Sequence, residues 1–186
     1  MDEEAFSADD DYKLVVKAQA GDAGAYDELM LRYQQIIGRQ MARFSNDPAV
    51  REELTQNVFV NAYFALGNYR PLAPFSNWLK VVANRTGYDY WRESYKRNRF
   101  MSLSRIDESE LGAREDPDPG GDRWEELTEN MNLLKPEERQ VLYMQYLDGM
   151  SIETIAAAMG WSRVQTKMRS FRARRKLRAI LKSRNK

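Results

Sequence analysis

Apolar side chains recur at steps of three and four along most of the chain, the spacing that places them on one face of an α-helix. The clearest case lies in residues 22–44, where the periodic positions are Tyr26, Leu29, Tyr33, Ile36, Ile37, Met41 and Phe44. The sustained alternation typical of a strand is not found in any segment. The pattern therefore predicts an all-α protein.

Two further helices are predicted in the first hundred residues. Residues 46–48 open one of them, because proline is tolerated in the first turn of a helix. Another is expected over residues 75–98. Between the two, a glycine and two prolines break the helix at residues 67–74. We expect residues 1–100 to form a bundle of about four helices.

The helix after Pro48 carries more apolar surface than one buried stripe requires. Its periodic positions and their apolar neighbours are Leu54, Val58, Ala62 and Leu66, with Phe59, Tyr63 and Phe64. Two interpretations fit this pattern equally well. Either the helix packs on two sides within the bundle, or part of it contacts a partner.

Residues 126–186 carry the signals of a helix-turn-helix domain. Pro and two acids at 136–138 mark a first helical turn, and Ser151 is a good N-cap for a short helix. Gly160 supplies the left-handed residue that ends this helix, and Ser162 caps a third helix that runs into a basic segment. A short helix, a glycine turn and a basic helix in this order are typical of a helix-turn-helix.

Residues 101–125 lose this periodicity. Residues 115–122 have the composition of a flexible acidic linker, with Asp, Pro and Gly in close succession. The expected organisation is a helical domain over 1–100, a linker over 101–125 and a helix-turn-helix domain over 126–186.

The composition limits which catalytic and metal-binding sites the chain can form. The 186 residues include 31% charged side chains but no His and no Cys, which excludes thiol nucleophiles, disulfides, the usual zinc sites and a Ser-His-Asp triad. We expect no catalytic residues, no metal and no cofactor. Apolar runs fall short of the roughly 20 residues that span a bilayer, and the N-terminus is acidic where a secretory signal is basic. A soluble, cytoplasmic protein without membrane insertion is expected.

The net charge of +1 hides a strong segregation along the chain. Residues 1–11 carry six acids and no base, and residues 101–126 carry nine acids and three Arg. Residues 163–186 carry eleven Lys or Arg and no acid, and residues 85–99 form a second basic stretch. Two basic segments separated by an acidic one indicate two contacts with a polyanion, although a solvated helix face explains a single basic run.

Two groups of side chains are candidates for nucleic-acid contact. Near the start of the third helix of the helix-turn-helix, Lys167, Met168, Phe171 and Arg172 share the face that would enter a major groove, although Phe171 also fits a core position. Residues 75–99 interleave aromatic and basic side chains, the combination that binds unpaired bases and their phosphates.

Within residues 75–99, burial competes with base stacking. Trp78, Val81 and Val82 fit the bundle core, whereas stacking is favoured for Tyr90, Trp91 and Tyr95. Trp161, in the helix-turn-helix, is interpreted as a packing residue.

Two sets of motifs resemble the conserved domains of bacterial sigma factors. The first set comprises Glu53-Leu54-Thr55-Gln56-Asn57-Val58-Phe59, Tyr69-Arg70 through Phe75-Ser76-Asn77-Trp78-Leu79, and Asp89-Tyr90-Trp91-Arg92. The second comprises residues 134–142 and 146–156, with Thr166-Lys167-Met168-Arg169 and Arg172-Ala173-Arg174. The resemblance covers roughly residues 12–181, and two such domains on a short linker are similar to the extracytoplasmic-function class of the sigma-70 family.

The resemblance implies a transcription factor that is not itself an enzyme. Such a protein binds core RNA polymerase, recognises and melts promoter DNA, and so directs transcription initiation. Glu53, Gln56 and Asn57 would dock on the clamp helices of the polymerase β′ subunit. Further implied partners are the β flap of the polymerase and an anti-sigma factor.

The resemblance also implies two sets of DNA-binding residues. The minus-ten element, with a base flipped into the 68–74 loop, would be held by Asn68, Tyr69, Arg70, Leu72, Ala73, Phe75, Arg85, Tyr88 and Arg92. The minus-thirty-five element would be read by Ser162, Lys167, Met168, Phe171, Arg172 and Arg175.

Four places depart from the usual family pattern. Asn57 stands where an acid is common, and residues 72–74 are Leu-Ala-Pro where Asp and Ser are common. Asn84-Arg85 reverses a frequent order, and Val164 and Thr166 stand where a Gly-Thr-Val turn is usual. The bases of the two promoter elements are therefore not implied by the resemblance.

Two other functions were weighed against this one. A repressor or activator could bind duplex DNA alone through the helix-turn-helix and use its first domain to dimerise. A hydrolase on a helical scaffold is disfavoured, because the sequence offers no nucleophile–base pair and no clustered carboxylates.

Overall fold

The computed structural model describes residues 8–104 and 121–184. Within these ranges the chain is helical and contains no strand, which confirms the predicted all-α class. The helices are α1 (Ala8–Gln19), α2 (Ala23–Met41), α3 (Pro48–Ala65), α4 (Phe75–Ser104), α5 (Gly121–Asn132), α6 (Pro136–Tyr146), α7 (Ile152–Met159) and α8 (Arg163–Arg184), with a 3-10 turn at Leu66–Asn68.

The predicted linker lies largely outside the described residues. Because α4 extends to Ser104 and α5 begins at Gly121, helix occupies both ends of the 101–125 segment. The rest of the predicted linker, residues 105–120, falls outside the described part of the chain. The described chain divides into two compact units within α4, between Gly87 and Tyr88.

Short polar caps set the helix boundaries in the first unit. The Asp22 carboxylate accepts a hydrogen bond from the Ala25 amide at 3.1 Å, and the Asp47 carboxylate accepts one from the Ala49 amide at 2.9 Å. Both are N-cap positions, where the side chain satisfies an amide that the helix leaves without a partner. These caps fix where α2 and α3 begin and so which faces they bury.

The core of the first unit forms where α1, α2, α3 and the first half of α4 meet. Its most deeply buried side chains are Val15, Leu29, Ile37, Met41, Val58 and Leu79. Asp11 is also buried, at 4% exposure. Its carboxylate accepts a hydrogen bond from the Tyr33 hydroxyl and forms an ion pair with Arg32 at 3.2 Å. A buried carboxylate is tolerated here because it has both partners.

The second unit packs α8 against α6 and α7. Val141, Met144, Ile155 and Ala173 are fully buried at this junction. Lys176 on α8 forms an ion pair with Glu138 on α6 at 2.6 Å. Glu138 also accepts a hydrogen bond from the Lys135 amide, so one carboxylate both caps α6 and holds α8.

The second half of α4 belongs to this unit. Trp91 is 5% exposed, with its ring 5.7 Å from that of Tyr143 and the Arg139 guanidinium 4.3 Å from its ring centroid. Burial lowers the pKa of Arg139 to about 10. Stacking on an aromatic face compensates in part for the lost hydration of this cation.

Candidate nucleic-acid interface

An apolar groove runs between α2 and α3, and we call it the α2–α3 groove. Its lining includes Leu31 on α2, and Val60, Tyr63 and Phe64 on α3. Leu31 is 67% exposed and Phe64 is 79% exposed. Large apolar side chains that stay exposed together are typical of a docking surface. The second apolar face of α3 is therefore not covered by packing within the first unit.

The three residues predicted to bind core polymerase lie beside this groove. Glu53, Gln56 and Asn57 are exposed on α3, and Gln56 lines the groove itself. Gln56 donates a weak hydrogen bond to Glu52 at 3.5 Å, one turn before it. The structure thus brings all three together on one exposed side of the helix.

Leu31 and Val60 also belong to this surface, although the sequence pattern did not single them out. Each is an apolar residue that lies off the buried stripe of its own helix, between stripe positions such as Leu29 and Tyr33 or Val58 and Ala62. An apolar side chain off the stripe was the available signal for both residues.

The 68–74 loop is held from beneath by aromatic packing. The Tyr69 ring is 6% exposed and lies edge-on to Phe75 and Trp78, with ring centroids 5.8 Å and 5.5 Å away. The Tyr69 hydroxyl donates to the Ala73 carbonyl at 2.8 Å, and the Gln19 amide donates to the Leu66 carbonyl at 2.8 Å. The Tyr69 bond closes the loop, and the Gln19 bond anchors the 3-10 turn that leads into it.

The predicted minus-ten residues of this loop divide into two layers. Tyr69 and Phe75 are buried, Phe75 at 3% exposure, and belong to the supporting layer. Asn68, Arg70, Leu72 and Ala73 are exposed. Leu72 is 94% exposed, and Arg70 donates to the carbonyls of Gly67 and Tyr69 at 3.0 Å. Only this outer layer is accessible to a ligand.

The unusual order Asn84-Arg85 has a structural explanation. Asn84 is fully buried and donates a hydrogen bond to the Lys80 carbonyl at 3.0 Å, whereas Arg85 is exposed. Adjacent residues on a helix point about 100° apart, so this order leaves the cation accessible and buries the amide.

Further along α4, Tyr88 and Arg92 follow Arg85 at helical spacing. Tyr88 is half-buried, and Arg92 is exposed, with an ion pair to Asp89 at 3.1 Å. Trp91, which the aromatic–basic pattern favoured as a stacking residue, is instead buried against Tyr143. Whether an aromatic residue on this helix is buried depends on helices that lie far from it in the sequence.

The start of α8 is fixed by a reciprocal cap. The Ser162 hydroxyl accepts from the Gln165 amide at 3.1 Å, and the Gln165 side chain accepts from the Ser162 amide at 3.1 Å. The hydroxyl of Ser162, a predicted DNA-binding residue, therefore serves as the N-cap. Gly160 ends α7 with a φ of +65°, as the helix-turn-helix pattern predicted.

Trp161 packs beside this turn, as the sequence predicted. Its ring lies 4.3 Å from the Arg169 guanidinium and 5.8 Å from the Tyr88 ring. Glu153 on α7 forms an ion pair with Arg163 at the start of α8. The pKa of Glu153 is lowered, first by a backbone hydrogen bond and further by the positive charge of Arg163.

The first half of α8 has one buried face and, opposite it, one exposed face. Thr166, Ser170 and Ala173 are buried, with Thr166 and Ala173 fully inaccessible. The predicted minus-thirty-five residues beyond Ser162 are all exposed, and they are Lys167, Met168, Phe171, Arg172 and Arg175. Phe171 is 55% exposed, so it does not occupy the alternative core position.

A second apolar groove lies between α5, α6 and α8, and the sequence analysis did not identify it. Leu127, Met131, Tyr146, Leu147, Leu177 and Leu181 line it. Tyr146 is 60% exposed. We call it the α5–α8 groove.

Residues 8–104 and 121–184 offer neither a cluster for a metal ion nor a helix for a membrane. These residues include no group of three or more Asp, Glu, His or Cys placed to hold a metal ion. Their helices include none that is both long and apolar enough to cross a membrane.

Two family models match the chain. Residues 29–97 match the model of sigma-70 region 2, and residues 124–177 match that of sigma-70 region 4. The matches occur in the order that the motifs predicted.

Three curated relatives cover most of the chain. RNA polymerase sigma-H factor of Pseudomonas aeruginosa is 31% identical, over 88% of this chain and 90% of the relative. RNA polymerase sigma factor CarQ of Myxococcus xanthus is 27% identical, over 87% and 91%. ECF RNA polymerase sigma-E factor of Escherichia coli is 28% identical, over 88% and 90%.

Two solved structures share the fold. CnrH, in complex with the cytosolic domain of CnrY, aligns over 94% of this chain and 98% of its own, with a TM-score of 0.59 and 24% identity. Sigma factor RpoE of Bartonella quintana, in complex with the anti-sigma factor NepR, aligns over 84% and 96%, with a TM-score of 0.62 and 20% identity.

Proposed function

Because the chain belongs to the extracytoplasmic-function class of sigma-70 factors, which bind core RNA polymerase and direct promoter recognition, DNA melting and transcription initiation, we propose how its residues divide that work. As an initiation factor, it is not itself an enzyme. The proposed modules are a region 2 domain over 1–100 and a region 4 domain over 126–186, joined by the acidic linker. The family matches over 29–97 and 124–177 support this division.

The α2–α3 groove, with Glu53, Gln56 and Asn57 on its α3 side, binds the clamp helices of the polymerase β′ subunit in this proposal. The carrying observation is that Gln56 lines this groove together with exposed Leu31 and Phe64, and that Glu53 and Asn57 are exposed on the same helix. An apolar centre with a polar margin is the usual anatomy of a protein interface. Asn57 lacks the charge that relatives commonly place there, so specificity falls more heavily on Glu53.

The 68–74 loop receives a base flipped out of the minus-ten element. Flipping costs a few kcal/mol of lost stacking, and a preformed pocket can offset that cost because it needs no ordering on binding. The Tyr69 bond within the loop, with the Gln19 bond to the turn before it, supports such a preformed conformation. Asn68, Arg70, Leu72 and Ala73 make the contacts, while Tyr69 and Phe75 support them from below.

Arg85, Tyr88 and Arg92 bind the DNA next to the flipped base. Arg85 and Arg92 are exposed and hold phosphates, since guanidinium groups bind them with two parallel hydrogen bonds. Tyr88 presents the remaining exposed part of its ring to a separated strand.

The exposed face of α8 enters the major groove at the minus-thirty-five element. Lys167, Met168, Phe171 and Arg172 face the bases, and Arg175 lies one turn further on for a phosphate. Ser162 contributes as the N-cap that fixes the start of the helix.

Two protein partners are proposed for the region 4 domain. The α5–α8 groove is apolar and partly exposed, which suits a short apolar segment such as the tip of the polymerase β flap. An anti-sigma factor is proposed as a regulator, because RpoE of Bartonella quintana was solved in complex with one. We also propose a cytoplasmic location, since bacterial RNA polymerase acts there.

Association with bacterial core RNA polymerase tests the core-binding surface. The chain should co-elute with core at about one to one in size exclusion, and Glu53→Ala combined with Gln56→Ala should abolish co-elution. Asp27→Ala is the control, because Asp27 is an exposed acid on α2 that does not line the groove. Circular dichroism of the variants reports on the fold. Unchanged co-elution of the double variant would reject the assignment of this surface.

A further inference from the structure

Three large apolar side chains are exposed along one side of α8. Val164 is 71% exposed, Met168 is 44% exposed and Phe171 is 55% exposed. Their spacing of four and then three residues places them in one stripe along the helix. We call this set the α8 apolar stripe. Val164 was not among the predicted DNA-binding residues, and the sequence marked it only as a departure from a usual glycine.

The α8 apolar stripe lies opposite the buried face of the helix. Thr166, Ser170 and Ala173 form that buried face. At 100° per residue their directions cluster about 180° from those of the stripe. The packing of the second unit therefore leaves the stripe accessible to a ligand.

The charge around the stripe identifies the ligand class. Lys167 and Arg172 flank it on either side and Arg175 lies one turn further on, all of them exposed. Residues 163–186 contain eleven bases and no acid. A polyanion complements the charge of this surface.

Base edges offer one apolar group to such a stripe. In the major groove of B-DNA, the 5-methyl of thymine is the apolar feature that a side chain can contact, and it distinguishes thymine from cytosine. At 1.5 Å per residue, the distance from Val164 to Phe171 is about 10 Å along the helix. With about 3.4 Å per base step, this length covers roughly three steps.

We propose that Val164, Met168 and Phe171 read thymine methyl groups, so that the minus-thirty-five element of this factor contains thymines on two or three neighbouring base pairs. The inference rests on the proposed function of α8 and adds the chemical identity of the bases. Val164 supplies apolar contact at a position where the usual glycine has no side chain.

The test begins with the holoenzyme formed from this chain and bacterial core polymerase. Promoter duplexes are selected from a randomised library, and each thymine of the selected minus-thirty-five element is then replaced by deoxyuridine, which removes only the methyl. Replacement outside the element is the control. We expect about a fourfold loss of binding for each contacted methyl, equivalent to about 0.8 kcal/mol.

Protein variants then assign each methyl. Val164→Ser should bind the thymine promoter about fourfold more weakly than the wild type. Deoxyuridine at the position that Val164 contacts should not weaken the binding of this variant further. Val16→Ser is the matched control, because Val16 is an exposed valine on α1, at 45% exposure. All of these sites are exposed, so the fold is expected to persist.

Three results would overturn the proposal. The selected element lacks thymine, deoxyuridine binds as well as thymine at every position, or the stripe variants bind promoters normally and lose a protein partner instead. Failure to form a holoenzyme, or selection of no sequence at all, would appear before any deoxyuridine is used. That earlier failure would reject the proposed function together with the inference.

Discussion

Gly87 on α4 offers a test of the close packing between helices within the first unit. A Cβ at this residue would lie 2.4 Å from atoms of the Phe44 ring. Ordinary carbon–carbon contact begins near 3.5 Å, so Gly87→Ala forces the ring to move by about 1 Å. Phe44 is itself buried, at 5% exposure, which leaves the ring little room.

Two opposing effects set the size of the change. Overpacking of a core typically costs about 1–3 kcal/mol, whereas replacing glycine by alanine inside a helix gains about 1 kcal/mol. We therefore expect Gly87→Ala to lower the free energy of unfolding of the first unit by about 1 kcal/mol. Gly38→Ala is the control, because its Cβ would meet only Thr55, at 3.9 Å, and the helix gain should dominate.

Hydrogen exchange of the α2 amides measures the stability of this unit by itself. Gly87→Ala should exchange faster and Gly38→Ala more slowly than the wild type. Adding Phe44→Leu should make Gly87→Ala less harmful than it is beside the phenylalanine. If Gly87→Ala protects these amides as well as the wild type does, the close approach of Phe44 does not constrain α4.

Three further predictions concern the other surfaces. Trp91→Ala should destabilise the second unit by about 3 kcal/mol, because it removes a buried ring and the aromatic face on which the Arg139 guanidinium stacks. Unchanged hydrogen exchange of the α6 amides would contradict this. Glu153→Gln should lower the melting temperature near neutral pH. The difference from the wild type should shrink as the pH falls through the lowered pKa of Glu153. The reason is that a carboxylate with a depressed pKa stabilises the fold only while it is ionised. A pH-independent difference would argue against the charge as the cause. Leu72→Ala should change stability by less than about 0.5 kcal/mol, because Leu72 is 94% exposed, yet reduce opening of the minus-ten element as seen by 2-aminopurine fluorescence. Normal opening would remove Leu72 from the proposed base pocket.

Local signals explain why much of this molecule could be predicted from the sequence. The helical period of residues 22–44, the proline at 48 and the glycine at 160 act within a few residues, so they determine α2, α3 and the turn before α8 without knowledge of the rest. The same holds for the exposed basic face of α8. A segment with eleven bases and no acid, at 163–186, cannot be buried as a whole, so it must leave a basic face accessible in any fold.

Tertiary structure decided which of two neighbouring side chains is buried and which is accessible. Trp91 and Tyr95 look alike in the aromatic–basic pattern, but Trp91 meets Tyr143 and Arg139, and Tyr95 is 41% exposed. Phe75 and Leu72 both belong to the predicted base pocket, and only Leu72 reaches the surface. Periodicity gives the direction of a side chain on its own helix, whereas burial depends on what packs against that helix, and those partners lie tens of residues away in the chain.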